Sequence, residues 1–238
     1  MIRIENIDVF GWEAAIRGLR NPMNSHDKSD SGLKIMNEED VEFGYEPNYE
    51  YVVGENDLTL MKKLCKAGTD HRKFMRMINV TMDITAPLYW WKEYDTYKVG
   101  TVANSCSTMH KIADKEFTLN DFSHEHLLNG FAGYDIGIQY NSEYDDSPED
   151  VLEYIIYALN KCREKYLETN DKKYWWQMIQ LLPSSYNQRR TVQLNYEVLL
   201  NMYHARKNHK LDCWREFCKW IETLPYFNEI CDDNEVIV

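Results

Sequence analysis

Basic side chains able to bind an anion recur between Pro183 and Arg215, in PSSYNQRRTVQLNYEVLLNMYHARKNHKLDCWR. Arg189, Arg206, His209 and Arg215 stand there in a chain of formal charge −12. A guanidinium offers forked donors that suit a phosphate or a ring carbonyl, so a small anionic ligand is one reading. A set of solvated basic residues on helix surfaces is the other, and the residue types alone leave both open. A second candidate stretch, Ile78 to His110, ends in a loop, Gly100 to Thr108, rich in hydroxyl and amide groups. A rigid strand and helix leading into such a loop is a common way to present a site. His124-Glu125-His126 invites a metal. It has no second ligand cluster, so a solvated loop and no metal is the expectation.

The elements that must position these groups are legible in part. Ile78, Val80, Met82 and Ile84 alternate with polar residues, the pattern of a strand with one buried face. Thr85 offers a capping hydroxyl and Pro87 suits a first helical turn. A helix from Ala86 to about Tyr97 is therefore expected, carrying Tyr89, Trp90, Trp91 and Tyr94. Near the start, Ile2 to Val9 reads as a strand and Trp12 to Leu19 as a short helix stopped near Gly18 and Pro22. Asn21 to Ser31 is polar and turn-rich, and reads as a mobile surface loop or a lid. Asn56 or Asp57 can cap a helix with Leu58, Met61, Leu64 and Cys65 on its apolar face and Gly68 as its stop.

Lys111 to Asp146 reads only as loop and short helix. Ser147, Pro148 and Asp150 then form a strong start signal for a helix bearing Val151, Leu152, Ile155, Ile156, Leu159 and Cys162, broken by Asn170 and Asp171. A further helix spans Lys172 to Leu182, before Pro183. Its Trp175 and Trp176 suit packing better than ligand stacking. Arg189 to Asn195 reads as a strand with Val192 and Leu194 facing one way. A helix with Val198, Leu199, Met202 and Tyr203 inward follows, and a last helix runs from about Leu211 to Leu224.

A chain of 238 residues is long enough for one sizeable domain or two small ones. Hydrophobic residues make up 44% and charged residues 28%, in the range of a soluble globular protein. No apolar run approaches the roughly 20 residues of a membrane helix, and MIRIENIDVF lacks a signal-peptide core. An intracellular, cytoplasmic protein with no membrane partner is expected. The negative charge disfavours nucleic acid as a partner. None of the six cysteines forms a C-x-x-C pair, so reduced thiols, several in the core, are expected.

Two stretches resemble the flavin-dependent thymidylate synthases. That family carries a strand, Ala-Pro, a helix ending in R-H-R-x-x-S, then N-E-x-S-x-R. Here the strand and Ala86-Pro87 match. The first motif falls on Thr96, Tyr97, Lys98, Val99, Gly100 and Thr101, where Lys98 and Thr101 are chemically similar. With one inserted residue the second falls on Asn104 to Met109, where Asn104 and Ser107 match. Leu182-Pro183 and Asn195 match at the family spacing. The family's nucleotide-contacting Arg then falls on Arg189 and a flavin-contacting Arg on Arg206. A one-residue deletion places the next flavin contact on His209 and the nucleotide-activating Arg on Arg215. Three departures stand out. Thr96-Tyr97 replaces two basic groups, the family Gln before that motif falls on Glu93, and the phosphate-binding Arg of the loop falls on Met109.

The resemblance implies an α+β fold with a central sheet flanked by helices, a single domain over 1–238, and a homotetramer. It implies reductive methylation of dUMP to dTMP with methylenetetrahydrofolate, hydride passing from NADPH through FAD. His71, Lys98, Asn104, Arg206 and His209 would hold FAD. Glu93, Ser107 and Arg189 would face the nucleotide, and Arg215 would polarise the uracil ring. The lost basic groups keep a second class open: a non-catalytic relative that binds another nucleotide or a protein partner, with the aromatic helix Tyr89 to Tyr97 as an interface.

Overall fold

The computed structural model describes residues 2–139 and 146–231. It is a mixed helix and sheet fold. A four-stranded sheet has the order β1-β4-β6-β5, formed by β1 (Arg3–Phe10), β4 (Asn79–Pro87), β6 (Asn187–Asn195) and β5 (Thr101–Ser105). A separate antiparallel pair joins β2 (Gly32–Ile35) to β3 (Tyr49–Val52). No helix among the described residues is long and apolar enough to cross a membrane. The described residues fall into two compact units: those within 2–4, 83–96 and 103–191 in one, and those within 5–82, 97–102 and 192–231 in the other.

The alternation read in β4 holds. Ile78, Val80, Met82, Ile84 and Ala86 are all buried. The strand runs on through Pro87, however, and α4 spans only Leu88–Tyr94, so the expected helix Ala86 to Tyr97 is corrected at both ends. Thr85 caps nothing, because the chain there is still extended and Ala86 is needed in the core. Pro87 stands just before the first turn, at the N-cap.

In the first unit the helices read from their caps are where the pattern puts them. α7 covers Pro148–Thr169, opened by the Ser147–Asp150 capping box, and it ends at Asn170 with φ 52°. It packs on α8 (Lys172–Leu181). Their shared core holds Ile112, Phe117, Phe122, Leu152, Leu159 and Met178. Ser147 is buried, and its hydroxyl accepts from the Asp150 amide. Ser147→Ala is therefore expected to lower stability by about 1 kcal/mol, measurable as a shift in the denaturant midpoint at unchanged slope. α5 (Thr108–Lys111) ends where the segment that resisted assignment begins, and that segment holds α6 (Gly130–Tyr134). Its residues 140–145 lie outside the described residues.

The second unit contains α1 (Trp12–Arg20), α2 (Glu38–Glu42), α3 (Glu55–Lys66), α9 (Tyr196–Arg206), α10 (Asp212–Ile221) and a further α11 (Phe227–Cys231). Asp57 does not cap α3, since Gly54 stands at the N-cap. Asp57 is instead fully buried, and its carboxylate accepts from Arg20 Nε at 2.8 Å and from the Ser29 and Ser31 hydroxyls at 2.7 Å. The supposed mobile loop or lid, Asn21 to Ser31, is thus anchored to α3 by its own polar residues. Gly68, at φ 96°, lies just past the end of α3 as expected. All six cysteines stand outside disulfides among the described residues, and Cys65, Cys213 and Cys218 are buried.

Candidate functional site

In the first unit, the start of β6 and the loop after β5 enclose a cavity of about 480 Å³. The local folding of both segments builds its wall. The Cys106 amide donates to the Arg189 carbonyl at 3.0 Å. The Gln188 side-chain amide donates to the Cys106 carbonyl at 3.0 Å and to Thr108 Oγ1 at 3.1 Å. Gln188 therefore pins the loop to the strand. Trp91 on α4 fixes Gln188 in turn, its Nε1–H donating to the Gln188 carbonyl at 2.9 Å. The Arg190 guanidinium carbon lies over the Trp91 ring, 4.2 Å from its centre, and Arg190 binds Asp95 at 2.7 Å.

Two residues assigned to the nucleotide, Ser107 and Arg189, line this cavity. Arg189 donates to Asp83 at 2.6 Å, and Asp83 also accepts from the Thr191 hydroxyl. The Ser107 hydroxyl lies 2.7 Å from His110 Nδ1 and caps α5. The third, Glu93, is half-buried on α4 and is not among the cavity residues. Sequence reasoning missed the other wall residues, Arg3, Lys111, Lys115 and Asn187 among them. Lys111 and Lys115 carried a signal, falling four and eight residues after Ser107 at helical spacing. Arg3 carried none. Its approach is a consequence of β1 joining the sheet. Asp121 contributes a carboxylate to the same wall, against the four cations Arg3, Lys111, Lys115 and Arg189. Thr85 Oγ1 and Asn187 Oδ1, on two wall residues, are shielded from solvent and have no hydrogen-bond partner among the described residues.

The second unit holds the other basic groups. Arg206, at the end of α9, donates from Nε to the Tyr97 hydroxyl at 3.0 Å. Its guanidinium lies 4.9 Å from the Trp214 ring centre. His209 accepts from the Leu211 amide through Nδ1 at 3.2 Å, with its ring 6.4 Å from Trp214. Arg215 is exposed and donates to the His209 and Lys210 carbonyls at 2.6 and 2.9 Å. Trp214 is fully buried while its neighbour Arg215 faces solvent. Lys98, His71 and Asn104 are exposed.

No protein-family model matches the sequence, and no curated protein matches it. Solved structures do. Thymidylate synthase X (ThyX) from Helicobacter pylori, with FAD and dUMP, aligns at a TM-score of 0.64 over 98% of each chain, with 15% identity. A second structure of the flavin-dependent enzyme from Helicobacter pylori, complexed with FAD and dUMP, gives 0.63 over the same shares. A UMP/dUMP methylase, PolB from Streptomyces cacaoi, bound with 5-Br dUMP, aligns at 0.54 over 97% of this chain and 94% of its own, with 14% identity. The chain has the flavin-dependent thymidylate synthase fold.

Within that fold the departures acquire a physical account. Tyr97, which stands at the second place of the R-H-R pattern, accepts from Arg206 Nε through its hydroxyl oxygen. Met109, where the pattern has Arg, is half exposed, and its carbonyl accepts from Trp175 Nε1 at 3.1 Å. On the aromatic helix Trp90, Trp91 and Tyr94 are buried and pack against one another with centroids 4.9–5.2 Å apart, while Tyr89 and Tyr97 are half-buried.

Proposed function

We propose that this chain is a divergent flavin-dependent thymidylate synthase-like enzyme that binds a uridine nucleotide in the cavity lined by Ser107 and Arg189. The observation that carries the reading is that cavity. In an acidic chain of −12, its wall sets four cations against one carboxylate. It also joins two residues 82 positions apart that the resemblance assigns independently to the nucleotide. The reaction would be the reductive methylation of dUMP to dTMP, with methylenetetrahydrofolate and NADPH as co-substrates, in the cytoplasm. The reading takes residues 1–238 as one thymidylate synthase-like domain, on the 98% coverage of both chains. It also takes the chain as a homotetramer. Large apolar side chains left exposed, such as Phe43 at 84% and Phe131 at 90%, support further association.

FAD, when bound, would supply the hydride chemistry. The residues present fit it in part. Lys98, His71 and Asn104 are exposed and can donate to its phosphates and ring edge. Arg206 and His209 fit less well, because Tyr97, Trp214 and Leu211 already engage them. That engagement, with the carbonyl contacts of Arg215, favours the second reading: a non-catalytic relative on the same scaffold.

The test is the absorbance of the purified protein together with calorimetric titration of FAD and dUMP. Flavin bands and dUMP binding are expected. Arg189→Ala should weaken dUMP by about 10–100-fold, the loss of one or two charge-assisted bonds. Thermal unfolding of the variant checks that Asp83, deprived of Arg189, has not loosened the strand. A colourless wild type that binds neither ligand at millimolar concentration defeats the thymidylate synthase reading and leaves the non-catalytic one.

A further inference from the structure

We propose that Lys111 and Lys115 form the phosphoryl-binding side of the cavity and replace the arginine that position 109 lacks. The inference rests on the nucleotide reading above and adds to it residues that the resemblance does not assign. Met109 is not among the cavity residues, and its backbone carbonyl is held by Trp175. The helix carries the chain onward from there. The Lys111 amide donates to the Ser107 carbonyl at 3.0 Å, so Lys111 stands one turn beyond Ser107. Lys115 lies four residues further on, and both line the cavity together with Arg3 and Arg189.

Each lysine now rests on a carboxylate, Lys111 on Asp114 at 2.7 Å and Lys115 on Asp121. The ammonium stems are more than half exposed. The Lys111–Asp114 pair is exposed on both sides and Lys115 is exposed although Asp121 is half-buried; a pair open to solvent holds its partner weakly. A phosphoryl dianion presents more charge and three acceptor oxygens, and it can draw both ammonium groups from those carboxylates. Lysine suits the task, being a mobile point charge on a flexible stem, whereas Arg189 is fixed by Asp83. The ligand class is a phosphomonoester with a polar ring. Thr85 Oγ1 and Asn187 Oδ1, both unpaired beside the cavity, are groups that the ring's amide edge can satisfy after small side-chain rotations.

The experiment titrates dUMP, deoxyuridine and inorganic phosphate into the full chain and into the double variant Lys111→Gln/Lys115→Gln. Both positions are exposed, so thermal unfolding of the variant should match the wild type. The wild type is expected to bind dUMP more tightly than deoxyuridine, with an affinity that falls as salt rises. The double variant should lose about 10–100-fold for dUMP and nothing for deoxyuridine. Lys111→Arg/Lys115→Arg should restore most of the loss. An unchanged dUMP affinity in the double variant overturns the proposal while leaving the nucleotide reading intact. An equal loss for deoxyuridine overturns it too, since the lysines would then not act on the phosphoryl group. Lysine-dependent binding of inorganic phosphate, with dUMP no tighter, upholds the anion site and defeats the uridine nucleotide instead. A wild type that takes none of the phosphate-bearing probes at millimolar concentration defeats both.

Discussion

Replacing Asp57 with Ala is expected to destabilise the protein by about 3–5 kcal/mol, because it strands a buried charge. Arg20 is 5% exposed, and its Nε–H donates to Asp57. The same carboxylate accepts from two serine hydroxyls and from the backbone amides of Asp30 and Ser31 at 3.2 Å. Removing it leaves the buried Arg20 Nε–H and the half-buried serine hydroxyls without that acceptor. For a chain of this size each kcal/mol moves the midpoint by about 2–4 °C, so thermal unfolding should show a drop of about 6–20 °C. A shift of only a degree or two would mean that water enters and replaces the carboxylate. The pH dependence has a definite sign. Burial pushes the Asp57 carboxyl up, but the Ser29 and Ser31 hydroxyls and Arg20 together outweigh it and hold the group below its ordinary value of 3.8. The stability it contributes is therefore present above about pH 4 and is lost as pH falls through the lower folded value. Asp57→Ala should flatten the acid limb of the stability curve.

Trp91→Ala should cost about 3–5 kcal/mol, the usual range for emptying a core site of an indole. Trp91 is 1% exposed and lies against Trp90 and Tyr94. Its consequences extend to the cavity. Without the indole, the Gln188 carbonyl loses its donor and Arg190 loses the ring beneath it. Gln188 is the residue that pins the loop at Cys106 and Thr108, so dUMP binding should weaken several-fold even at temperatures where the variant is folded. Trp91→Phe separates the two effects. It keeps a ring under Arg190 and most of the volume, and should cost about 1–3 kcal/mol for the unpaired carbonyl and the smaller side chain. Calorimetric dUMP titration of both variants, read beside their unfolding curves, checks this. Equal dUMP affinity in folded Trp91→Ala and the wild type would show that the loop holds its shape without this support.

Much of the fold was legible in the sequence, because it rests on local rules. The alternation from Ile78 to Ile84 needs only the two-residue period of a strand, and every apolar member of it is buried. Ser147, Pro148 and Asp150 announce α7 because unsatisfied amides at a helix start need an acceptor within three residues. Val192 and Leu194 face inward together for the same reason as the residues of β4. Other elements left no mark in the pattern. β5 is built from small and polar residues, nearly all exposed, and owes its conformation to its place in the sheet beside β6. β1 carries Asn6 at φ 53°, which shifts the alternation between Ile4 and Ile7 and leaves Ile7 exposed.

The candidate site divides along the same line. Ser107 and Arg189 could be placed by motif spacing, since each sits at a fixed distance from a strand or helix boundary. The roles of Asp57, Tyr97 and Met109 could not, because each depends on a group far away in the chain: Arg20, Arg206 and Trp175. Asp57 has the residue type and position of a helix cap, and only the approach of a second helix turns it into a buried acceptor. The sequence by itself determined that an acidic chain carries a few basic groups after its central strand and near its end. Tertiary structure alone decided which of them share a cavity, through the pairing of β5 with β6 and the entry of β1 and the Lys111–Lys115 turn. Electrostatic convergence is a property of distances in space, and local pattern constrains those distances only within an element.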